Sequence, residues 1–171
     1  MLYTNRPPHI YIDNYIYFLT ARTIKGVKYF NGDYGKQLLL NVINTAIKMF
    51  NCKLSAWVIL SNHYHLLMKV KSGKNLPCLV GNIHANSSRL LNQEDKSLGR
   101  KIWWNYWDKC VETEKSYFTH LNYIHHNPVK HGYAKRMEDY EFSSYKYYQQ
   151  KQGKVWLDSC FEIYPIIDFT K

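Results

Sequence analysis

A chain of 171 residues, 46% of them hydrophobic, has room for one domain with a real core. No run is long enough to cross a membrane, and the opening MLYTNRPPHIYIDN lacks the charged start, apolar middle and cleavage site of a signal peptide, so a cytoplasmic protein with no membrane partner is expected. Lysine and arginine outnumber aspartate and glutamate 23 to 13, and the resulting net charge of +10 favours a polyanion such as nucleic acid over the plainer reading of a merely soluble basic protein.

Residues 10–23, IYIDNYIYFLTART, are rich in Tyr, Ile and Phe and read as one or two strands, with a turn at Lys25 and Gly26. Residues 33–50 read as a helix. Leu38, Leu39, Val42, Ile43, Ala46, Ile47 and Phe50 recur at helical spacing, and Asp33 suits the N-cap. Residues 54–60 read as a strand, Ser61 and Asn62 as a tight turn, and HYHLLMKV as a second strand, forming a central antiparallel hairpin that ends at residues 71–74. On a strand, residues i and i+2 share a face, so His63 and His65 present two imidazoles side by side while Tyr64 packs on the other face. One rigid strand then sets both ligand directions, which suits a divalent metal; a polar sheet surface carrying two histidines is the plainer reading.

Residues 75–91 read as a second helix, with Leu79, Ile83, Ser87 and Leu90 on one side and His84, Asn86, Ser88 and Arg89 as polar and basic groups. Residues 92–100 read as a loop. Residues 101–111, KIWWNYWDKCV, read as a strand or strand pair whose rings suit a core, while Lys101 and Lys109 suit a nucleic-acid surface. Sixteen Tyr, five Trp and seven Phe exceed what such a core needs, and bases of single strands stack on exposed rings. Residues 114–126 read as a third helix packed through Tyr117, Leu121 and Ile124, and Pro128 should end it at Asn127. Residues 129–171 read as a loop, a turn at DYEFSS and a Tyr- and Lys-rich tail, so the expected domain covers 1–150 and the tail 151–171. Cys52, Cys78, Cys110 and Cys160 form no C-x-x-C pair, which argues against a zinc ribbon and for free thiols.

Tyr123 and Asn127 lie four residues apart on the third helix, about 40° from each other around its axis. A phenol and an amide therefore project together from a face away from the packing stripe, with His120 at its border. A solvent-facing tyrosine in a Tyr-rich chain is the plainer reading.

Taken together, the two constellations resemble the REP-associated tyrosine transposases, in the single-tyrosine branch of the HUH single-strand endonucleases. The resemblance rests on SNHYHLLMKV and on YIHHNPVKHGY at 123–133, with IWWNYWDKCVETEKSYFTHLN before that block and DYEFSSYKYY after it; it covers residues 10–150. It implies an α+β fold, a ferredoxin-like antiparallel sheet with helices packed on it. It also implies His63 and His65 as ligands of Mg²⁺ or Mn²⁺, Tyr123 as nucleophile, and Asn127 as third ligand where related insertion-sequence enzymes carry Gln. Tyr64 departs from the aliphatic residue common between the two histidines. The implied reaction is cleavage and rejoining of single-stranded or hairpin DNA through a 5′-phosphotyrosine, by a monomer or a homodimer. His120, Arg89, Lys101, Lys109 and Lys130 are candidate DNA contacts. Two other readings compete: a metal nuclease that activates water and uses Tyr123 only for packing, and a domesticated DNA-binding protein. The joint presence of His63, His65, Tyr123 and Asn127 argues against the second.

Overall fold

The computed structural model describes residues 11–167 and 169. Their elements run β1 (Tyr15–Thr23), α1 (Gly32–Met49), β2 (Lys53–Ile59), β3 (His63–Val70), α2 (Leu76–Glu94), β4 (Trp103–Cys110), α3 (Glu114–Lys130), α4 (Tyr145–Gln152) and α5 (Lys154–Ile163). The strands pair antiparallel in the order β2-β3-β1-β4. Each crossover through α1 or α2 skips one strand, which is the ferredoxin-like arrangement that the family resemblance implies.

Alternation along the strands sorts side chains onto two faces. On one face Tyr64 lies opposite Ala21 and Leu66 opposite Leu19. The Tyr64 ring meets His84 of α2 and Trp103 of β4 there, and α1 lies along α2 and buries Leu39, Val42, Ile43, Ala46 and Ile47. The other face carries His63, His65 and Leu67 on β3 beside Arg22, Thr20 and Phe18 on β1. Helix α3 covers the β2–β3 half of that face, and Arg22, Trp107 and Lys109 on the β1–β4 half stay exposed. Strand β3 is thus buried on both faces except at Lys69. The outer edge of β2 is closed by residues 142–144, where the Ile59 N–H donates to the Phe142 carbonyl and the Ser144 N–H to the Trp57 carbonyl, both at 2.9 Å. No described strand pairs with the outer edge of β4.

Several expected boundaries move. The first strand begins only at Tyr15. Asn31, not Asp33, precedes α1, and Asp33 sits in its first turn. Helix α2 runs on to Glu94, and Leu91 rather than Leu90 takes the buried position. The hairpin lies with β3 inside the sheet and β2 at its edge. His84 is no surface group; it stacks on Trp103 with ring centroids 4.5 Å apart. The β4 rings divide, Trp103 inward and Trp104 outward.

Helix α3 does not end before Pro128. It starts at Thr113, whose hydroxyl accepts the Ser116 N–H at 3.1 Å, and it continues to Lys130. The proline forgoes the one intrahelical bond that an N–H at position 128 would make, and the burial of the helix around it outweighs that cost. The stop comes from Gly132, at φ +71°. The Tyr133 N–H donates to the Pro128 carbonyl at 2.8 Å and the Gly132 N–H to Val129 at 3.0 Å, a Schellman closure.

Residues 129–171 hold two helices that the sequence reading places in loop and tail. Position 150 falls inside α4, and α5 packs on α3. The buried Asn122 amide donates to the carbonyls of Cys160 at 2.9 Å and Tyr164 at 2.8 Å. Among the described residues no helix is long and apolar enough to cross a membrane, and the four cysteines are free thiols.

Candidate active site

The site forms where α3 crosses the start of β3. The His63 and His65 rings lie on one face with centroids 5.2 Å apart, as the i, i+2 spacing predicts. The Tyr123 ring meets His65 edge-on at 5.2 Å, and Asn127 Oδ1 lies 3.2 Å from His63 Nε2. One strand and one helix thus bring all four side chains together. Tyr123 is not solvent-facing: it and Asn127 are each 1% exposed. The sheet covers one side of α3 and the α5 and 142–148 segments cover the other, so the helix is buried nearly all round between Thr119 and Pro128.

Hydrogen bonds fix how the imidazoles point. His63 Nδ1–H donates to Asn62 Oδ1 at 2.7 Å, and His65 Nδ1 bonds Thr20 Oγ1 at the same distance. The Asn62 oxygen can only accept, so His63 carries its proton on Nδ1 and presents an Nε2 lone pair inward, while the Thr20 bond holds the His65 ring with its Nε2 inward. The buried His65 Nε2 and Asn127 Nδ2 have no hydrogen-bond partner among the described residues. His63 Nε2 and Asn127 Oδ1 are two acceptors facing each other at 3.2 Å, an arrangement that a shared cation satisfies. Burial, with nearby His131 adding to it, pushes His63 down to about 4, and burial holds His65 well below the ordinary histidine range. Both are neutral at pH 7, the form that ligates metal. The donor set fits a divalent cation. No described cluster of three or more His, Cys, Asp or Glu side chains could hold one, so a metal here would rest on two imidazoles and an amide.

Around this centre the other predicted residues fall unevenly. His120 is buried beside Tyr123. Its Nδ1–H donates to the Ser116 carbonyl at 2.6 Å, burial lowers it to about 4, and Phe169 stacks on it at 4.2 Å. Lys130 Nζ lies 5.2 Å from the centre of the Tyr123 ring, and Lys109 Nζ lies 5.7 Å from that of Phe169. Lys101 sits farther out, over Trp104. Arg89 is exposed on α2, in the layer behind the sheet, and is not brought to the site. Sequence reasoning misses Thr20, Arg22, Asn62, Trp107 and His131, whose ring lies 4.9 Å from His63. The alternation of β1 and β4 contains Thr20, Arg22 and Trp107, but only the strand register places them beside the histidines.

A profile of the family described as "Transposase IS200 like" matches residues 11–127. A REP-associated tyrosine transposase of Escherichia coli is 28% identical over 95 residues, 54% of each chain, so the match spans about half of that relative's length. A Haemophilus influenzae protein provisionally given the same name is 27% identical over 144 residues, 76% of this chain and 79% of its own. A solved structure of a REP-associated tyrosine transposase bound to a REP hairpin matches the fold with a TM-score of 0.71 at 22% identity, covering 98% of this chain and 94% of its own. With more than half its length matched, and with an H-x-H strand packed against a tyrosine-bearing helix, this chain belongs to the IS200-like transposase family.

Proposed function

We propose that the chain cleaves and rejoins one strand of DNA through a covalent bond to Tyr123, with hairpin or single-stranded DNA as substrate. The convergence of Tyr123 on His65, and of Asn127 on His63, carries this reading. The REP hairpin held by the structural neighbour supports a hairpin as the form of DNA.

The Tyr123 oxygen would attack the scissile phosphorus, forming a 5′-phosphotyrosine and releasing a 3′-hydroxyl. Return attack by a 3′-hydroxyl rejoins strands without an outside energy source, because the phosphotyrosine conserves the bond. A free phenol has a pKa of about 10 and is a weak nucleophile at neutral pH. The Lys130 ammonium, 5.2 Å from the centre of the Tyr123 ring, would offset negative charge gathering where the phenol meets the phosphate. The packing of Tyr123 against Phe18 and His65 aims it. Mg²⁺ or Mn²⁺ held by His63, His65 and Asn127 would polarise the phosphate and offset charge on its oxygens.

Replacing Tyr123 with Phe removes one oxygen and keeps the ring. Incubation with labelled hairpin DNA and Mn²⁺ should give a detergent-stable adduct with the native chain and none with the variant, while DNA binding persists. Cleavage by the variant without an adduct would instead establish the water-activating nuclease.

A further inference from the structure

We propose that Arg22 and Trp107 position the strand at this site, Arg22 gripping the scissile phosphodiester and Trp107 standing between the two nucleotides it joins. The inference rests on the strand-cleaving reading above and adds the residues that choose which phosphate is cut.

The register puts both side chains in line with the histidines. Across the sheet, His63 lies opposite Arg22 and Arg22 opposite Asn105, while His65 lies opposite Thr20 and Thr20 opposite Trp107. Directly opposed residues of antiparallel strands share a face. Arg22 is therefore one strand from His63, and Trp107 two strands from His65, on the half of the face that α3 leaves uncovered.

Two cavities flank the centre. One, of about 400 Å³, contains Tyr123 and His120; the other, of about 690 Å³, contains His63 and His131. Arg22 and Trp107 are the residues lining both. A strand crossing from one cavity to the other has to pass its backbone over Arg22 and its bases on either side of the indole. Their chemistry suits that passage. The larger cavity is lined by Arg22, Lys25 and Lys28 together with Trp104 and Trp107, and by no carboxylate. Arg22 has no ion-pair partner among the described residues, and its charge is felt at both His63 and His65. A guanidinium there can give two parallel hydrogen bonds to phosphate oxygens. Trp107 is 38% exposed on the edge strand and lines both cavities, where a base can stack on its indole.

The test measures adduct formation on a labelled hairpin with a single-stranded flank, and maps the cleaved phosphate. Arg22→Gln should slow adduct formation about 100-fold at saturating DNA, as loss of a charge-stabilising donor does elsewhere, with a much smaller change in DNA affinity. Arg22→Lys should restore part of the rate. Trp107→Ala should spread cleavage over neighbouring phosphates, and Trp107→Phe should keep a single site. Both side chains are exposed, and unchanged thermal melting will establish that the variants fold. A native chain that forms no adduct would overturn the strand-cleaving reading and this inference with it. A native adduct whose rate and position are unmoved by Arg22→Gln and Trp107→Ala would overturn this inference alone.

Discussion

The Thr20 hydroxyl, 2.7 Å from His65 Nδ1, decides which nitrogen of that ring is left to face Tyr123 and Asn127. Thr20→Val keeps the shape and removes the oxygen. The ring then loses its anchor, and calorimetric titration with Mn²⁺ should show affinity about 10- to 100-fold weaker. Changing His63 and His65 together to Ala should abolish the heat of binding altogether. At this scale the sequence was partly legible. The i, i+2 spacing sufficed to put two imidazoles on one face, because a strand's period is fixed. Thr20 was not legible, since a neighbour across a sheet is set by register between segments 45 residues apart; Asn62 adjoins His63 in sequence, and only the direction its side chain takes makes it that ring's partner.

Helix α3 carries Tyr123 and Asn127, and its two ends locate them. The start at Glu114 was legible from the spacing of Tyr117, Leu121 and Ile124; the stop was misread because Pro128 is the louder signal. Gly132 closes the helix at φ +71°, with nothing within 4 Å of where a Cβ would stand. Gly132→Ala therefore meets backbone strain without a clash. It should cost about 1 kcal/mol in urea unfolding, and Gly132→Asn less. The same helix buries His125, whose Nε2 bonds the Ser144 hydroxyl at 3.0 Å. Burial lowers His125 to about 3. The unfolded chain then takes up a proton near pH 6.5 that the folded chain refuses, so the stability present above pH 6.5 is lost as pH falls toward 3. Between pH 7 and pH 5 this one group should cost about 2 kcal/mol, and His125→Gln should reduce the loss by that amount in urea titrations at the two pH values.

For the molecule as a whole, the β-α-β-β-α-β order was readable, because each element through α3 carries its own periodic pattern. Helices α4 and α5 were not. In α4 only Tyr145 is buried, and in α5 only Leu157 and Cys160, so their apolar patterns are too sparse to mark a helix. Contacts with α3, such as the two bonds from Asn122, hold that region in place. The net charge of +10 sets the response to salt. Affinity for a hairpin with a single-stranded flank should fall steeply and log-linearly between about 50 and 200 mM salt, and a blunt duplex of equal length should bind more weakly at every point. Equal affinity for the two DNAs in a fluorescence-anisotropy titration would count against the aromatic surface as a reader of unpaired bases.

Strand β4 lies at an edge that no described strand pairs with, whereas β3 is enclosed on both faces. That difference sets how freely each can diversify. A substitution in β3 disturbs packing above and below the sheet as well as the histidines. An outward substitution on β4, at Trp104, Trp107 or Lys109, disturbs little except what lies on the surface. On the proposed function, a lineage built on this scaffold could vary which DNA it accepts along β4 while the cutting chemistry proposed for β3 and α3 stays constant.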